Sequence, residues 1–515
     1  MWEKLSNSSL LFSKTYHKQN TDFYFNTPFI HRLYNYYSSK GYYNIIYSQI
    51  VNIFISNFII FFILFLANCV DFVGILNVNS ISYIGDYVNM GNLFNLNVFV
   101  WILLVFFYIF TFMKVISVLD DIYVYKTIRN FYKKTLNISD KELDYVEWNT
   151  VVDKINKKTN QNLDIFYINS IITSKDNYFI SLLDNNVINL NYLNKLMEWN
   201  LYFCIFFTIY NNDFKLNDSI FTEKEMFTKK VKSKMRYFSI FNFVFMPFIL
   251  TVLGFYYLFN YGEIFYNKPQ MIVSKGYSRK RKWELRYYNE LEHEFNKRIK
   301  NAEELTTEYN SLFKFKILSV VSRLLVFLFS SIFIVFLIVS LINDKILVNL
   351  MIFSDKPVLW SLGILAPFIA VLRSLTVHTI KRKPIYVLEE LSNHVYIDEK
   401  LFDESSNQTT YKIITKNFSY KMILFIKDII SIISTPFELW NISYKTEYIL
   451  DYIIKNTNSH PKILFLCSYS NFENDHESEM FLQNSSKIVL SKEEFLKNYT
   501  FWTPEQQQSI RINVV

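Results

Sequence analysis

Five side chains in this sequence sit where a charge or an amide is costly. Arg323 lies early in one apolar run, Arg373 closes another, Asn242 is inside a third, and Glu263 and Lys268 follow that third run. A lone charge at the bilayer centre costs at least about 2.5–3.5 kcal/mol. The chemistry open to such groups is non-covalent: a polar track through hydrocarbon lowers the barrier to moving a charged or zwitterionic headgroup across it. Each residue also has a structural reading. Arg323 is close enough to the end of its run to snorkel to phosphates, Arg373 and Lys114 can be topology anchors, Asn242 can bond between helices, and Glu263 can pair with Lys268 at the surface.

Covalent chemistry finds little support. His293-Glu294 has the start of a metalloprotease helix, but Lys297 stands where the second histidine is needed. No GxxxxGK[ST] loop occurs and the chain has only eight glycines, so a nucleotide-driven pump is not expected. Cys69, Cys204 and Cys467 are far apart, with no disulfide or zinc spacing. No cofactor is expected. The net charge of +8 comes from basic clusters beside apolar runs, which fits an anionic lipid surface rather than a nucleic-acid groove.

The elements that must position these groups are the apolar runs Ile50–Val70, Val98–Val118, Phe238–Leu258, Ile317–Ile342, Val358–Leu372 and, more weakly, Met422–Phe437. A helix needs roughly 20 residues to cross a bilayer core. The connection Asp71–Asn97 has no Lys or Arg, whereas Lys4, Lys14, Lys18, Arg32 and Lys40 precede the first run and Lys126, Arg129, Lys133 and Lys134 follow the second. The positive-inside rule therefore makes these two runs a hairpin with both flanks cytoplasmic. Basic clusters flank the third run on both sides, Lys229 to Arg236 before it and Arg279 to Arg286 after it. That run is expected to be re-entrant, bent at Pro247. Runs four and five form a second hairpin, and the sixth, holding Lys427, Asp428 and Pro436, is expected to be interfacial or re-entrant.

The expected fold is mainly α: a polytopic membrane protein with four transmembrane helices, two re-entrant segments and a helical cytosolic domain. Its divisions are a cytosolic leader 1–44, hairpin 45–118, cytosolic helices 119–236, re-entrant segment 237–262, cytosolic amphipathic helices 263–314, hairpin 315–376, and a C-terminal cytosolic region 377–515 with re-entrant segment 421–441. Both termini are expected in the cytosol. In the stretch KWELRYYNELEHEF, the spacing of Trp283, Tyr287, Leu291, Phe295 and Ile299 predicts one amphipathic helix with Glu294 and Arg298 paired on its wet side. Arg286, Asn289, Glu290 and His293 are expected to form a structural polar network there. In MEWNLYFC, Glu198, Trp199 and Asn200 read either as headgroup contacts or as a buried joint between domain and bilayer.

Several stretches resemble the autophagy-related protein 9 family: Arg32, Tyr34, Asn35 and Gly41; FLANCVDF (65–72); FYKKTLNISDKELDYVEW (131–148); SKDNYFISLL (174–183); MEWNLYFC (197–204); RYYNELEHEF (286–295); STP (434–436); FLCSYS (465–470); and Trp502 with Pro504. The resemblance implies a homotrimer with exchanged membrane helices, a lipid-transfer protein of the autophagy machinery as partner, and passive phospholipid scrambling during autophagosome expansion. A non-catalytic trimeric scaffold that recruits partners is the alternative. It also implies Golgi- or endosome-derived vesicles and preautophagosomal membranes as the location. HVYIDE (394–399) keeps only part of the family's His-Tyr-Met-Pro motif, and the polar cluster after the third run is reduced to Tyr266, Asn267 and Lys268.

Overall fold

The computed structural model describes residues 27–77, 83–159, 164–267, 274–313, 316–342, 348, 351–353, 356–375, 382–397, 408–416, 418–460, 464–472, 486–500 and 502. Helices dominate. Two long apolar ones, α2 (Tyr42–Cys69) and α3 (Val98–Lys134), pack side by side as a hairpin. Before them, α1 (Thr27–Ser38) turns into α2 through Gly41, whose φ of +105° is open to glycine; a Cβ there would meet the Asp140 Cβ at 3.3 Å. Beyond its apolar stretch α3 enters a helical body, where Tyr132 stacks on Tyr36 of α1 at 4.8 Å.

That body is built around α5 (Ile165–Asp184), flanked by α4 (Trp148–Thr159) and α6 (Lys195–Leu201). Asp164 caps α5 by accepting from the Phe166 amide at 3.1 Å. Most of α5 is buried, yet Asn169, Thr173, Asn177 and Ser181 recur every fourth residue and form a polar stripe on one face. A π-helical turn, Tyr202–Phe206, continues α6.

The third apolar run belongs to α7 (Lys224–Asn267), a single helix of 44 residues, about 66 Å at 1.5 Å per residue. The bend expected at Pro247 is not there. Ser239 Oγ donates to the Pro436 carbonyl at 2.6 Å, Phe243 packs on Phe437 and Tyr257 on Phe425, so α7 and α13 (Lys421–Tyr444) run antiparallel past the proline without reversing. One proline removes one backbone bond, and the neighbouring helix supports both sides of the gap. The next element among the described residues is β1 (Lys275–Tyr277). β1 pairs antiparallel with β2 (Phe418–Tyr420), the residues that lead into α13.

Both ends of this helix pair are tied to the helical body. At one end Phe227, Val231 and Met235 of α7 lie in the core with Ile449, Leu450 and Ile453 of α14 (Thr446–Lys455). At the other, Tyr277 of β1 bonds Thr306 of α9 (Glu292–Leu312) at 2.7 Å, just after the short helix α8 (Arg279–Leu285).

The second hairpin is α10 (Lys316–Ile342) and α11 (Val358–Leu375), joined at Phe329 and Phe368. Among the described residues, four helices are long and apolar enough to cross a membrane: Tyr42–Cys69, Val98–Lys134, Lys224–Phe259 and Ser319–Ile342. The third of these is the run expected to be re-entrant, while α11, which holds the fifth run, has 18 residues and is about 27 Å long, slightly shorter than a bilayer core. Length therefore ranks the two differently from the charge pattern, which weighs the flanks. The main partners of α10 and α11 are each other and the turn between them. The chain closes on the body through α12 (Pro384–Ser392), a two-stranded ladder of β3 (Thr457–His460) and β4 (Leu464–Cys467), and α15 (Ser486–Asn498).

Candidate functional site

One group of polar residues comes together, in the body; the lipid-path residues of the helix pair and second hairpin do not. The body group grows from the stretch expected to be a single helix. It is instead two helices, α8 and α9, broken by residues 286–291, with Asn289 at φ +58°. The four-residue spacing of Trp283, Tyr287, Leu291 and Phe295 survives as buried or half-buried contacts, but the backbone between them turns because Asn289 is claimed by α5.

Asn289 joins three segments. Its Oδ1 accepts from Asn177 Nδ2 at 2.8 Å and from Thr173 and Ser170 at 3.3 and 3.4 Å. Its amide donates to Asn177 Oδ1 at 2.9 Å, and its Nδ2 donates to the Ser470 carbonyl at 2.7 Å. The α5 stripe and the FLCSYS segment thus meet on one 1% exposed side chain. This stripe was missed from sequence; four small polar residues at helical spacing in an otherwise apolar segment were the available signal.

The pairing expected between Glu294 and Arg298 is also different. Arg298 binds Glu290 through Nε at 2.6 Å and Nη2 at 2.8 Å, both side chains 4% exposed, and donates to the carbonyls of Leu285 and His394. The Tyr287 ring lies 4.0 Å from its guanidinium. The break between α8 and α9 brings Glu290 back over α9 within reach of Arg298. Arg286 pairs with Asp176 at 2.8 Å and lies over Trp283. His394, from the partial family motif, meets this network through its carbonyl.

Glu294 instead accepts from Tyr499 Oη at 2.5 Å and from the Leu291 amide, and burial pushes it up to about 7. His293 Nδ1 meets Tyr34 Oη at 3.0 Å, and burial, with Lys40 and Lys297 nearby, lowers it to about 4. The signs oppose. Glu294 holds its proton more tightly when folded, so its contribution to stability falls as pH rises from its ordinary 4.5 to about 7. His293 releases its proton on folding, so its contribution falls as pH drops from 6.5 to about 4. Glu294→Gln is expected to remove the first slope: thermal midpoints measured from pH 5 to pH 8 should show the variant gaining on the parent as pH rises, with the acid-side loss from His293 retained.

The MEWNLYFC residues divide. Glu198 pairs with Arg279 at 3.1 Å, and Trp199 stacks on Phe203 at 5.4 Å and meets Phe238 at the start of the third run. Asn200 is fully buried with no partner for either amide atom among the described residues. Trp199 thus links α6 to the start of the third run.

The lipid-path residues lie apart in the helix pair and second hairpin. Asn242 is 4% exposed on α7 and its Nδ2 has no partner among the described residues. Arg323 is exposed on α10 and Arg373 is exposed in the last turn of α11. Glu263 is on α7, its side chain outside the described residues, as is the whole of Lys268.

Comparison with known proteins agrees with this architecture. The family profile described as "Autophagy protein ATG9" matches residues 26–473. Autophagy-related protein 9 of Dictyostelium discoideum is 25% identical over 509 residues, covering 93% of this chain and 72% of the relative. That of Saccharomyces cerevisiae is 25% identical over 475 residues, covering 86% of this chain and 47% of the relative, so this chain spans about half the yeast protein. The cryo-EM structure of Schizosaccharomyces pombe Atg9 superposes with a TM-score of 0.65 at 22% identity, covering 87% of this chain and 98% of that one.

Proposed function

Because the chain belongs to the ATG9 family of autophagy proteins, we propose that it is a passive phospholipid scramblase that re-equilibrates leaflets of intracellular autophagic membranes. The observation that carries this reading is the α7–α13 pair: apolar, held at both ends by the body, with Asn242 buried on α7 and its Nδ2 without a partner among the described residues. An amide left unpaired among apolar helices costs about 1–3 kcal/mol, a cost that a passing headgroup would offset.

In this reading the α7–α13 pair is embedded from the cytosolic side of the bilayer, with both of its ends held on that side by the body. The hairpins α2–α3 and α10–α11 cross it, and both termini are cytosolic. Three copies assemble, the second hairpin finding in a neighbouring subunit the packing that its own chain gives it mainly through its own turn. Lipid delivered to one leaflet by a lipid-transfer partner is then shared between both.

The test is reconstitution of the purified chain into liposomes with fluorescent lipid in both leaflets. A membrane-impermeant quencher is expected to bleach well beyond the outer half without nucleotide. Bleaching that stops at the outer half contradicts scrambling. Asn242→Leu and Arg323→Leu with Arg373→Leu are expected to slow the bleaching. The scaffold alternative predicts the same rates for parent and variants.

A further inference from the structure

Arg236 stands where the basic start of α7 gives way to its apolar run. Its guanidinium carbon lies 5.3 Å from the ring centroids of both Trp440 and Tyr444, one turn apart on α13, and Trp440 Nε1 donates to Tyr444 Oη at 3.1 Å. Stacking uses the faces of a guanidinium and leaves its N–H edge free. Arg236 Nε is buried with no partner among the described residues, and no carboxylate there pairs with the group.

Acids on the adjoining elements have partners of their own. Asp451 and Glu447 pair with Lys224, Glu198 pairs with Arg279, and Glu438, on the same helix as the two rings, faces Ser434 and Lys280. Lys229, Lys230, Lys232 and Lys234 add positive charge along α7 next to Arg236. An anion approaching this end of the helix pair therefore meets an unopposed, partly desolvated guanidinium.

A second observation says what kind of anion. Exposed Ile426, Ile430, Ile433 and Phe437 recur at three- and four-residue spacing along α13 and lead directly to Trp440 and Tyr444. An apolar stripe that ends in Trp and Tyr, with a cation at its tip, matches the order of chains, interface and phosphate in one bilayer leaflet.

We propose that Arg236, framed by Trp440 and Tyr444, binds the phosphate of an acidic phospholipid from the host membrane, with the acyl chains lying along the α13 stripe. The arginine fork engages two phosphate oxygens, and the stripe gives a lipid an advantage over a free anion. The inference rests on the α7–α13 pair facing the membrane, and cysteine labelling of the chain tests that placement separately.

The test is native mass spectrometry of the full chain in detergent, titrated with dioctanoyl phosphatidylserine or dioctanoyl phosphatidylcholine. The parent should retain more of the serine lipid, and Arg236→Gln should lower that retention about fivefold, the effect of one basic group at a lipid surface, and lower that of the choline lipid, which shares the phosphate but has no net charge, by less. Inorganic phosphate at equal concentration should not displace the lipid. Equal retention by parent and variant, or displacement by inorganic phosphate, overturns the proposal. If R236Q does not fold, Trp440→Leu decides, since it removes the ring that holds the guanidinium: loss of the serine-lipid preference supports the site and its persistence overturns it.

Discussion

Glu290→Gln is expected to destabilise the protein by about 3–5 kcal/mol, the cost of leaving one member of a buried ion pair alone. Three N–H groups converge on this carboxylate: Nε and Nη2 of Arg298 and the Tyr287 amide. A glutamine offers one oxygen to the three and turns an NH2 group toward the rest. The Arg298 charge then stays 4% exposed without a counter-charge. Thermal unfolding of parent and variant in detergent, followed by far-UV circular dichroism, measures the loss. Glu290→Leu with Arg298→Met should recover part of it, because no lone charge remains. Recovery should be incomplete, since the Leu285 and His394 carbonyls lose the donor they share. A Gln variant as stable as the parent would show that the pair is not enclosed.

Asn289→Ala is expected to cost about 3 kcal/mol, from unpaired buried polar groups at about 1–3 kcal/mol and from the left-handed backbone at about 1–2 kcal/mol. Alanine leaves the Asn177 amide, the Thr173 hydroxyl and the Ser470 carbonyl short of a partner and holds a Cβ at φ +58°. Glycine at the same place tolerates that φ but makes none of the side-chain bonds. Asn289→Gly should therefore be less destabilised than Asn289→Ala by about 1 kcal/mol. Equal midpoints for the two would remove the backbone part of the explanation, and a midpoint at the parent's value for both would remove the hub.

How far this was legible in the sequence differs by element. The first hairpin was, because α2 and α3 are long, apolar and separated by a connection without Lys or Arg. The break in KWELRYYNELEHEF was not. Trp283, Tyr287, Leu291 and Phe295 satisfy a helical period, and nothing local forces the turn. The turn comes from α5, more than a hundred residues earlier, whose Asn177 bonds both the amide and the side chain of Asn289. Period describes a face and is blind to a distant hydrogen-bond partner. Pro247 erred the other way. A proline in an apolar run reads as a bend, but α13 lies along α7 from Ser239 to Tyr257 and carries the helix through.

Among the site residues, sequence named Arg286, Asn289, Glu290 and His293 as one network; the structure places the first three around α5 and Arg298, while His293 meets Tyr34 of α1 instead. It did not show that Arg298 belongs to Glu290, because a partner eight residues away becomes near only after the chain turns. The Arg236 site was invisible for a related reason: its two rings come from α13, two hundred residues later. From sequence Arg236 was one more charge in a basic cluster.

The whole account depends on both flanks of α7 lying on one face of the membrane, with the first hairpin reaching the other. All three native cysteines are buried, so introduced thiols can be read against a low background. Lys229→Cys before the run, Lys300→Cys after it and Tyr83→Cys in the hairpin connection are at exposed positions. A membrane-impermeant maleimide added to sealed vesicles with the cytosolic face outward is expected to label Cys at 229 and at 300 and to spare Cys at 83 until detergent is added. Labelling of only one of the two flanks would make α7 a crossing helix and contradict the account.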